Sequence, residues 1–257
     1  MKTFLLPIIL LFITSFSYAD CAGSGLSFWP QSKTVMQNSI FVIEGSEMSR
    51  EIIEDIGTKT NVFLTSKKHN VQLKVVEVLE GNFRLKQVVL RPEEQLIAGE
   101  HYVLHIEGIN EEDGSGVSQW NSESGKHELV SWMVEQGSDT NIPSFISKPS
   151  YLGGSYTGFG CGPAIYSLFG FKAKDTSPLL VRTQVKDVET GAVAVYLLPY
   201  EDGRVTVGHG MCSGAFNIEI EKQYEVWFSL MDASGNASKD VPPALSIKGP
   251  SYDSQFE

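Results

Sequence analysis

The segment Gln223–Asn236 constrains the fold more than any other part of this 257-residue sequence. Its apolar side chains alternate with more polar ones, so they fall on one side of an extended chain: Tyr224, Val226, Phe228 and Leu230. A period of two is typical of a β-strand that has one face on a core. The residues from Asp232 to Asn236 tolerate left-handed backbone, so the strand is predicted to turn back as a hairpin.

A similar pattern occurs earlier in the chain. The segment His101–Asn110 carries Tyr102 eight residues before Asn110, and Gly114 follows. Tyr224 stands in the same relation to Asp232. Two copies of one strand-and-turn pattern predict two similar β domains, and the length suits two domains of ordinary size.

The amino terminus has the features of a secretory signal peptide. Lys2 precedes the apolar run Phe4–Phe16, and Ser17-Tyr-Ala19 offers small residues for cleavage after residue 19. The run is too short for a stable transmembrane helix, and no second long apolar run follows. We therefore expect an exported protein, secreted or held in the periplasm or cell envelope, without a transmembrane segment.

The formal net charge of −11 limits the partners of the protein. Nucleic acids and anionic membranes attract basic surfaces, so we expect neither as a partner.

The three cysteines of an exported chain suggest one disulfide and one remaining thiol. Cys161 and Cys212 both lie in the second half, so the sequence predicts that they pair. The bridge would close a loop of about 50 residues, a contribution of roughly 4 kcal/mol on the chain-entropy model. Cys21 would then be a free thiol, an intermolecular partner or a lipid anchor. Lipid anchoring is the less favoured alternative, because Asp20 rather than a small residue precedes Cys21.

Short strands separated by turn residues occupy most of the chain, which favours an all-β sandwich over βαβ units. One short helix is predicted within Ser46–Gly57, which has serines to begin it and a glycine to end it. A polar stretch near residue 138 marks the domain boundary. The predicted organisation is a signal peptide over 1–19, sandwiches over 20–137 and 138–250, and a loose tail over 251–257.

Several segments of the first half resemble the bacterial Ig-like domains of surface-layer and other exported proteins. These are Pro30–Lys33, Asn38–Met48 and Leu96–Tyr102. The second half is similar to a bacterial Ig-like or fibronectin-III-like domain at Tyr224–Asn236. The resemblance implies two tandem Ig-like sandwiches of the cell envelope, with Tyr102 and Tyr224 in the position of a tyrosine corner. It implies no catalytic residues.

The turn after the last long strand resembles part of a calcium loop. Asp232, Ser234, Asn236 and Asp240 occupy positions 1, 3, 5 and 9, but the glycine at position 6 and the acid at position 12 are missing. The alternative is a hairpin whose Asp and Asn side chains bind their own backbone. We expect no cofactor on this basis, with Ca²⁺ as the alternative.

The segment Gly208–Gly214 contains His209, Met211 and Cys212, a set that would suit copper. A cysteine in a disulfide cannot bind a metal, so a sharp bend beside a bridge is the preferred interpretation. A nucleophile pair of His209 with Cys161 or Cys212 is disfavoured for the same reason. In addition, no third residue that would orient the histidine is evident.

Two tryptophans are the candidate binding residues. Trp120 stands in a loop otherwise without apolar residues, and Trp227 lies on the outward face of its strand. Exposed aromatic rings can stack on a sugar or anchor a protein partner. The alternative is that the ring packs beneath its own loop or into the contact between the two domains. The sequence thus predicts an exported non-enzymatic structural or binding protein that acts on a protein or glycan at the cell surface. A carbohydrate-binding accessory module is the alternative.

Overall fold

The computed structural model of the chain describes residues 24–109, 116–122 and 124–256. The predicted signal peptide, Cys21 and residues 110–115, among them Asn110 and Gly114 of the repeated pattern, lie outside these residues. Within them the chain is all-β with one short helix, as the alternating pattern predicts. No helix of the described residues is long and apolar enough to cross a membrane.

The described residues of the N-terminal half, up to residue 137, form ten strands and the predicted helix. The helix begins as a 3-10 turn, Glu47–Ser49, and continues as α1, Arg50–Asp55. The strands are β1 Gly25–Trp29, β2 Thr34–Val35, β3 Phe41–Ser46, β4 Val62–Thr65, β5 Asn70–Glu80, β6 Leu85–Pro92, β7 His101–Ile106, β8 Ser118–Asn121, β9 Lys126–Leu129 and β10 Ser131–Val134.

Eight of these strands form one sheet in the order β1-β3-β6-β5-β4-β7-β10-β2. Neighbours are antiparallel except β2 and β10, which are parallel. Strand β5 is long, and a bulge between Val75 and Glu77 bends it. The part of the sheet formed by β1, β3 and β6 faces the part formed by β4, β7, β10 and β2 across one apolar core. Phe41 enters this core from the first part, and Leu64 and Tyr102 enter it from the second.

The C-terminal half contains nine strands. They are β11 Ser144–Phe145, β12 Ser150–Phe159, β13 Gly162–Gly170, β14 Ala173–Lys174, β15 Leu179–Asp187, β16 Val193–Pro199, β17 Arg204–His209, β18 Gln223–Asp232 and β19 Leu245–Lys248. A three-stranded sheet, β12-β13-β17, lies opposite a four-stranded sheet, β16-β15-β18-β19. Phe169 of β13 meets Phe228 of β18 edge-on, with ring centroids 5.0 Å apart. These inward side chains form a second apolar core between the two sheets.

Strand β18 has the predicted one-sided burial. Its predicted inward residues are all buried: Tyr224, Val226, Phe228 and Leu230. The strand ends at Asp232, whose backbone N–H donates to the carbonyl of Asn236 at 3.1 Å. The hairpin turn is therefore confirmed.

The outer face of the N-terminal sheet packs against the C-terminal half. Val42, Leu79 and Val89, from β3, β5 and β6, belong to the same apolar cluster as the C-terminal core. The buried amide of Gln87 forms two hydrogen bonds with the backbone of Leu197, donating at 2.9 Å and accepting at 3.1 Å. The two halves are thus joined by continuous apolar packing with paired polar groups inside it.

The two tyrosines named above make the contacts of a tyrosine corner. The Tyr224 hydroxyl accepts a hydrogen bond from the backbone N–H of Glu219 at 2.9 Å. The Tyr102 hydroxyl accepts one from the N–H of Ile97 at 3.3 Å. In each case the ring is buried and its hydroxyl holds the chain that leads into the strand.

The end of the chain is attached to β12, where the sequence predicts a loose tail. The backbone N–H of Tyr156 donates to the Ser254 carbonyl at 2.9 Å, and the Gln255 side chain donates to the Tyr156 carbonyl at 2.9 Å. The rings of Tyr156 and Tyr252 meet edge-on, with centroids 5.0 Å apart. Residues 251–256 therefore cover part of a sheet edge.

The turn between β15 and β16 is held by Asp187. Its carboxylate accepts hydrogen bonds from the N–H groups of Glu189 and Thr190 at 2.9 and 3.1 Å, and the Lys222 ammonium lies 2.9 Å away. The hydrogen bond from Lys222, supported by those from the turn, lowers the pKa of Asp187 to about 2.

Replacing Gln87 with Ala is expected to destabilise the protein by about 2–3 kcal/mol, because it leaves the buried backbone N–H and C=O of Leu197 unpaired. Urea unfolding of the Gln87→Ala variant measures the change. Gln223→Ala, at an exposed strand position, is the matched control and should shift stability by less than about 0.5 kcal/mol. Equal effects of the two substitutions would contradict this role for Gln87.

Replacing Tyr224 with Phe is expected to lower stability by about 1 kcal/mol, because the Glu219 N–H loses its acceptor while the ring stays buried. The exposed Tyr252 supplies the control, and Tyr252→Phe should leave the unfolding midpoint unchanged. A midpoint for Tyr224→Phe equal to that of wild type would show that the hydroxyl contact adds nothing.

The low pKa of Asp187 predicts a defined acid response. Its ionised form stabilises the fold fully above the ordinary carboxyl value of 3.8, and this contribution is lost as the pH falls through about 2. Asp187→Asn is therefore expected to have a lower Tm than wild type at pH 7 and a shallower decline of Tm between pH 4 and pH 2. Thermal melts across this range test it, with the exposed Asp240→Asn as control.

Candidate functional sites

Trp120 lies on a small hairpin of its own. Strands β8 and β9 form a separate two-stranded sheet, in which Trp120 stands opposite His127. The two rings meet edge-on with centroids 5.5 Å apart, yet 59% of Trp120 remains exposed. The indole is thus oriented by its neighbour and still presents most of its surface to solvent.

A groove of about 470 Å³ lies beside this hairpin. Its wall is formed by the segment after β1 and by strands β8, β9 and β10. At its base the buried Trp132 donates from its indole N–H to the Pro30 carbonyl at 2.9 Å. The polar residues that line the groove are Gln31, Ser32, Lys33, Gln119, Asn121, Ser122, Glu128 and Ser131.

Glu128 is held in position at the edge of the groove. The side-chain amide of Asn121 donates to Glu128 Oε2 at 2.9 Å, and the Lys33 ammonium lies 3.6 Å from the same oxygen. These contacts, with that from Asn121 the strongest, lower the pKa of Glu128 below its ordinary value. The groove therefore presents an ionised acceptor beside an exposed aromatic surface at neutral pH.

The second tryptophan predicted from sequence lies elsewhere. Trp227 is on the outer face of β18, opposite Gln184 of β15, and is half-buried. It does not line the groove beside Trp120. The structure therefore does not bring the two predicted binding residues together.

The turn predicted as a possible metal loop has hairpin chemistry. The Asp232 carboxylate accepts hydrogen bonds from the N–H groups of Ser234 and Asn236, each at 2.8 Å, and from the Asn236 side-chain amide at 2.8 Å. Asp240 is exposed and does not belong to a metal-capable group of the described residues. Of the four residues proposed from the loop spacing, Asp232, Ser234 and Asn236 thus contact one another within the turn, and Asp240 is not grouped with Asp232.

Asp232 instead meets two acids from distant parts of the chain. Oxygen atoms of Asp139, Asp175 and Asp232 lie within 4.8 Å of one another. Two unit charges at that separation repel by about 3 kcal/mol at an effective dielectric constant of about 20. Burial raises the pKa of Asp232, and the charge of Asp175 raises it further.

Sequence reasoning missed Asp139 and Asp175. Asp139 follows the predicted domain boundary, and Asp175 lies between β14 and β15. Neither is near Asp232 in sequence, so no spacing rule connects them. Asp139 belongs to the polar stretch near residue 138, which the sequence alone identifies only as a domain boundary.

The predicted disulfide between Cys161 and Cys212 is wrong. Cys161 is a half-buried free thiol at the turn between β12 and β13. Cys212 is disulfide-bonded, but no disulfide joins two of the described residues, and Cys21 lies outside them. Loop closure entropy varies slowly with loop length, so it cannot decide between Cys21 and Cys161 as the partner of Cys212.

His209, considered above as a metal ligand or base, is held by packing. It is 4% exposed, and its ring lies against Phe83 with centroids 4.3 Å apart. Its Nδ1 is 2.8 Å from the carbonyl oxygen of Gly210. It lines a cavity of about 370 Å³ together with Cys161 and Met211.

Comparisons with known proteins identify no family. No family model and no curated protein matches the sequence. Among solved structures, the chain is similar to a pullulanase from Anoxybacillus sp. LM18-11 complexed with maltotriose, with 10% identity and a TM-score of 0.25 over 80% of this chain. It is also similar to a cytokine receptor complex, with 8% identity and a TM-score of 0.26 over 88% of this chain and 96% of that one.

A pullulanase type I from Bacillus subtilis str. 168 complexed with maltose gives 11% identity and a TM-score of 0.22 over 83% of this chain. The chain spans about a quarter of the length of both pullulanase chains, 24% in each case. Likeness at this level carries no functional argument, so the function must be argued from the geometry of the sites.

Proposed function

We propose that this chain is an exported, non-enzymatic binding protein of the cell envelope that holds a glycan in the groove beside Trp120. It consists of two tandem Ig-like sandwiches, residues 20–137 and 138–250, that follow a cleaved signal peptide. The observation that carries the proposal is a 59% exposed indole at the edge of a polar groove.

The strand architecture supports the Ig-like assignment. In the C-terminal half, three- and four-stranded antiparallel sheets enclose one core. Tyr102 and Tyr224 each hold the chain five residues upstream through the hydroxyl, as in Ig-like domains. Such sandwiches place loops and short hairpins at their ends, where ligands bind.

The chemistry of the groove suits a sugar. One face of a pyranose ring is lined by C–H groups and packs on an indole, while its hydroxyls need both donors and acceptors. Trp120 supplies the apolar surface. Asn121 and Gln119 supply amide groups, and the ionised Glu128 supplies a strong acceptor for a hydroxyl pair.

The local support of the groove favours binding without rearrangement. Asn121 and Lys33 hold Glu128, and Pro30 accepts the hydrogen bond of Trp132. Polar groups that are already oriented lose little conformational freedom when a ligand binds.

Trp120→Ala is expected to weaken binding of a glycan about tenfold or more, which corresponds to about 1.4 kcal/mol. A glycan array with the mature chain identifies the ligand, and calorimetry with the best hit gives Kd for wild type and variant. Phe159→Ala is the control, because it removes another aromatic side chain that is 53% exposed but does not line the groove. This variant should leave Kd unchanged.

Binding that survives the loss of Trp120 would contradict this site. Release of reducing sugar from the bound glycan by the wild-type protein would contradict the non-enzymatic assignment. Absence of any glycan ligand, together with capture of an envelope protein that Trp120→Ala abolishes, would replace the glycan with a protein partner in the same groove.

A further inference from the structure

Three acids, Asp139, Asp175 and Asp232, converge at the junction of the two halves. Asp139 is 4% exposed and Asp232 is fully buried, and their oxygens converge with one from Asp175 within 4.8 Å. None of the three forms an ion pair with a lysine, arginine or histidine of the described residues. Buried carboxylates are ordinarily paired or coordinate a metal ion.

A second observation concerns Asp175 itself. Its Oδ1 accepts a hydrogen bond from the N–H of Ser177 at 2.8 Å. Its Oδ2 is enclosed by the protein and has no hydrogen-bond partner in the part of the chain that the structure describes. The remaining oxygens of the cluster accept hydrogen bonds: those of Asp139 from Asn141 and Ser177, and those of Asp232 from its own turn. One enclosed carboxylate oxygen of the acidic cluster thus has no hydrogen-bond donor among the described residues.

We propose that Asp139, Asp175 and Asp232 bind a calcium ion. Carboxylate oxygens are the ligands of hard divalent cations, and the described residues of the cluster include no thiolate or imidazole that would favour zinc or copper. Ca²⁺ accepts irregular sets of oxygen ligands, whereas Mg²⁺ demands a near-octahedral arrangement. An irregular set drawn from three separate segments therefore fits calcium.

The position of Asp139 gives the site a structural role. The Asn38 side-chain amide, from the N-terminal half, donates to the Asp139 carbonyl at 2.7 Å, and the Asp139 N–H donates back to Asn38 Oδ1 at 3.0 Å. The side-chain amide of Asn236, from the C-terminal half, donates to the same carbonyl at 3.1 Å. A cation bound by Asp139 and Asp232 therefore ties the connecting segment, already bound to both halves, to the C-terminal half.

Calorimetric titration of metal-free mature protein with CaCl₂ tests the proposal. We expect one Ca²⁺ per chain, and Asp175→Asn should weaken its binding at least tenfold. The Asn side chain preserves size and retains an oxygen for the Ser177 contact, so this variant is expected to fold. Asp240→Asn, an exposed acid beyond the same turn, is the matched control and should bind Ca²⁺ like wild type.

Thermal melts in EDTA and in CaCl₂ supply a second readout, in which Asp175→Asn should act in opposite directions with and without the metal. Without metal, Asp175→Asn should have a higher Tm than wild type, because one of three mutually repelling charges is gone. With CaCl₂, wild type should gain more in Tm than the variant.

Three outcomes would overturn the site: no heat and no Tm shift with millimolar CaCl₂, equal affinity of wild type and Asp175→Asn, or a Tm rise with MgCl₂ equal to that with CaCl₂. Because the cluster and the Trp120 groove share no residues, loss of Ca²⁺ binding and loss of glycan binding are separate results.

Discussion

The burial of both faces of the N-terminal sheet determines the rest of the structure. In β3, Phe41 and Ile43 point into the N-terminal core, while Val42 between them joins the C-terminal cluster. In β6, Val88 points into the N-terminal core and Val89 joins the C-terminal cluster. A strand that is buried on both faces has a continuous apolar sequence instead of an alternating one. The run of apolar residues in β3 is therefore the sequence counterpart of the contact between the halves.

That contact would be unfavourable if its polar groups were unpaired. Gln87 lies among these apolar residues at 5% exposure, and its amide pairs with both backbone groups of Leu197. Its amide N–H also donates to Glu44, whose carboxylate accepts a second hydrogen bond from the Tyr196 hydroxyl at 2.9 Å. Each of these polar groups has a hydrogen-bond partner, so the network leaves none of them unpaired. Such a network favours one relative position of the two halves.

The parts of this structure that sequence predicts are those set by neighbours along the chain. Alternation in Tyr224–Leu230 predicts β18, glycine and serine positions predict α1, and the resemblance to Ig-like domains implies the hydroxyl contacts of Tyr102 and Tyr224. A period of two tells which face of a strand is buried but not what covers it. The packing of Val42 and Val89 on the C-terminal half was therefore not predicted.

The same limit explains the sites. Trp120 was found because an apolar residue stood alone in a polar stretch, and that is a local property. Asp139, Asp175 and Asp232 lie on three separate segments that only the tertiary fold brings together, so no local sequence pattern predicts that they are close. The pairing of Cys161 with Cys212 was wrong because it rested only on their lying in the same half of the chain, which does not decide which cysteine forms the bond.

Two paired segments, residues 30–37 and 131–137, run from the groove to the acidic junction. Pro30 and Lys33 line the groove, and β2 follows directly and pairs with β10 in parallel. Beyond β2, the Gln37 N–H donates to the Gly137 carbonyl at 3.1 Å, so the paired segments continue to the junction. A cation at the junction would therefore stabilise the same two segments that form the wall of the groove.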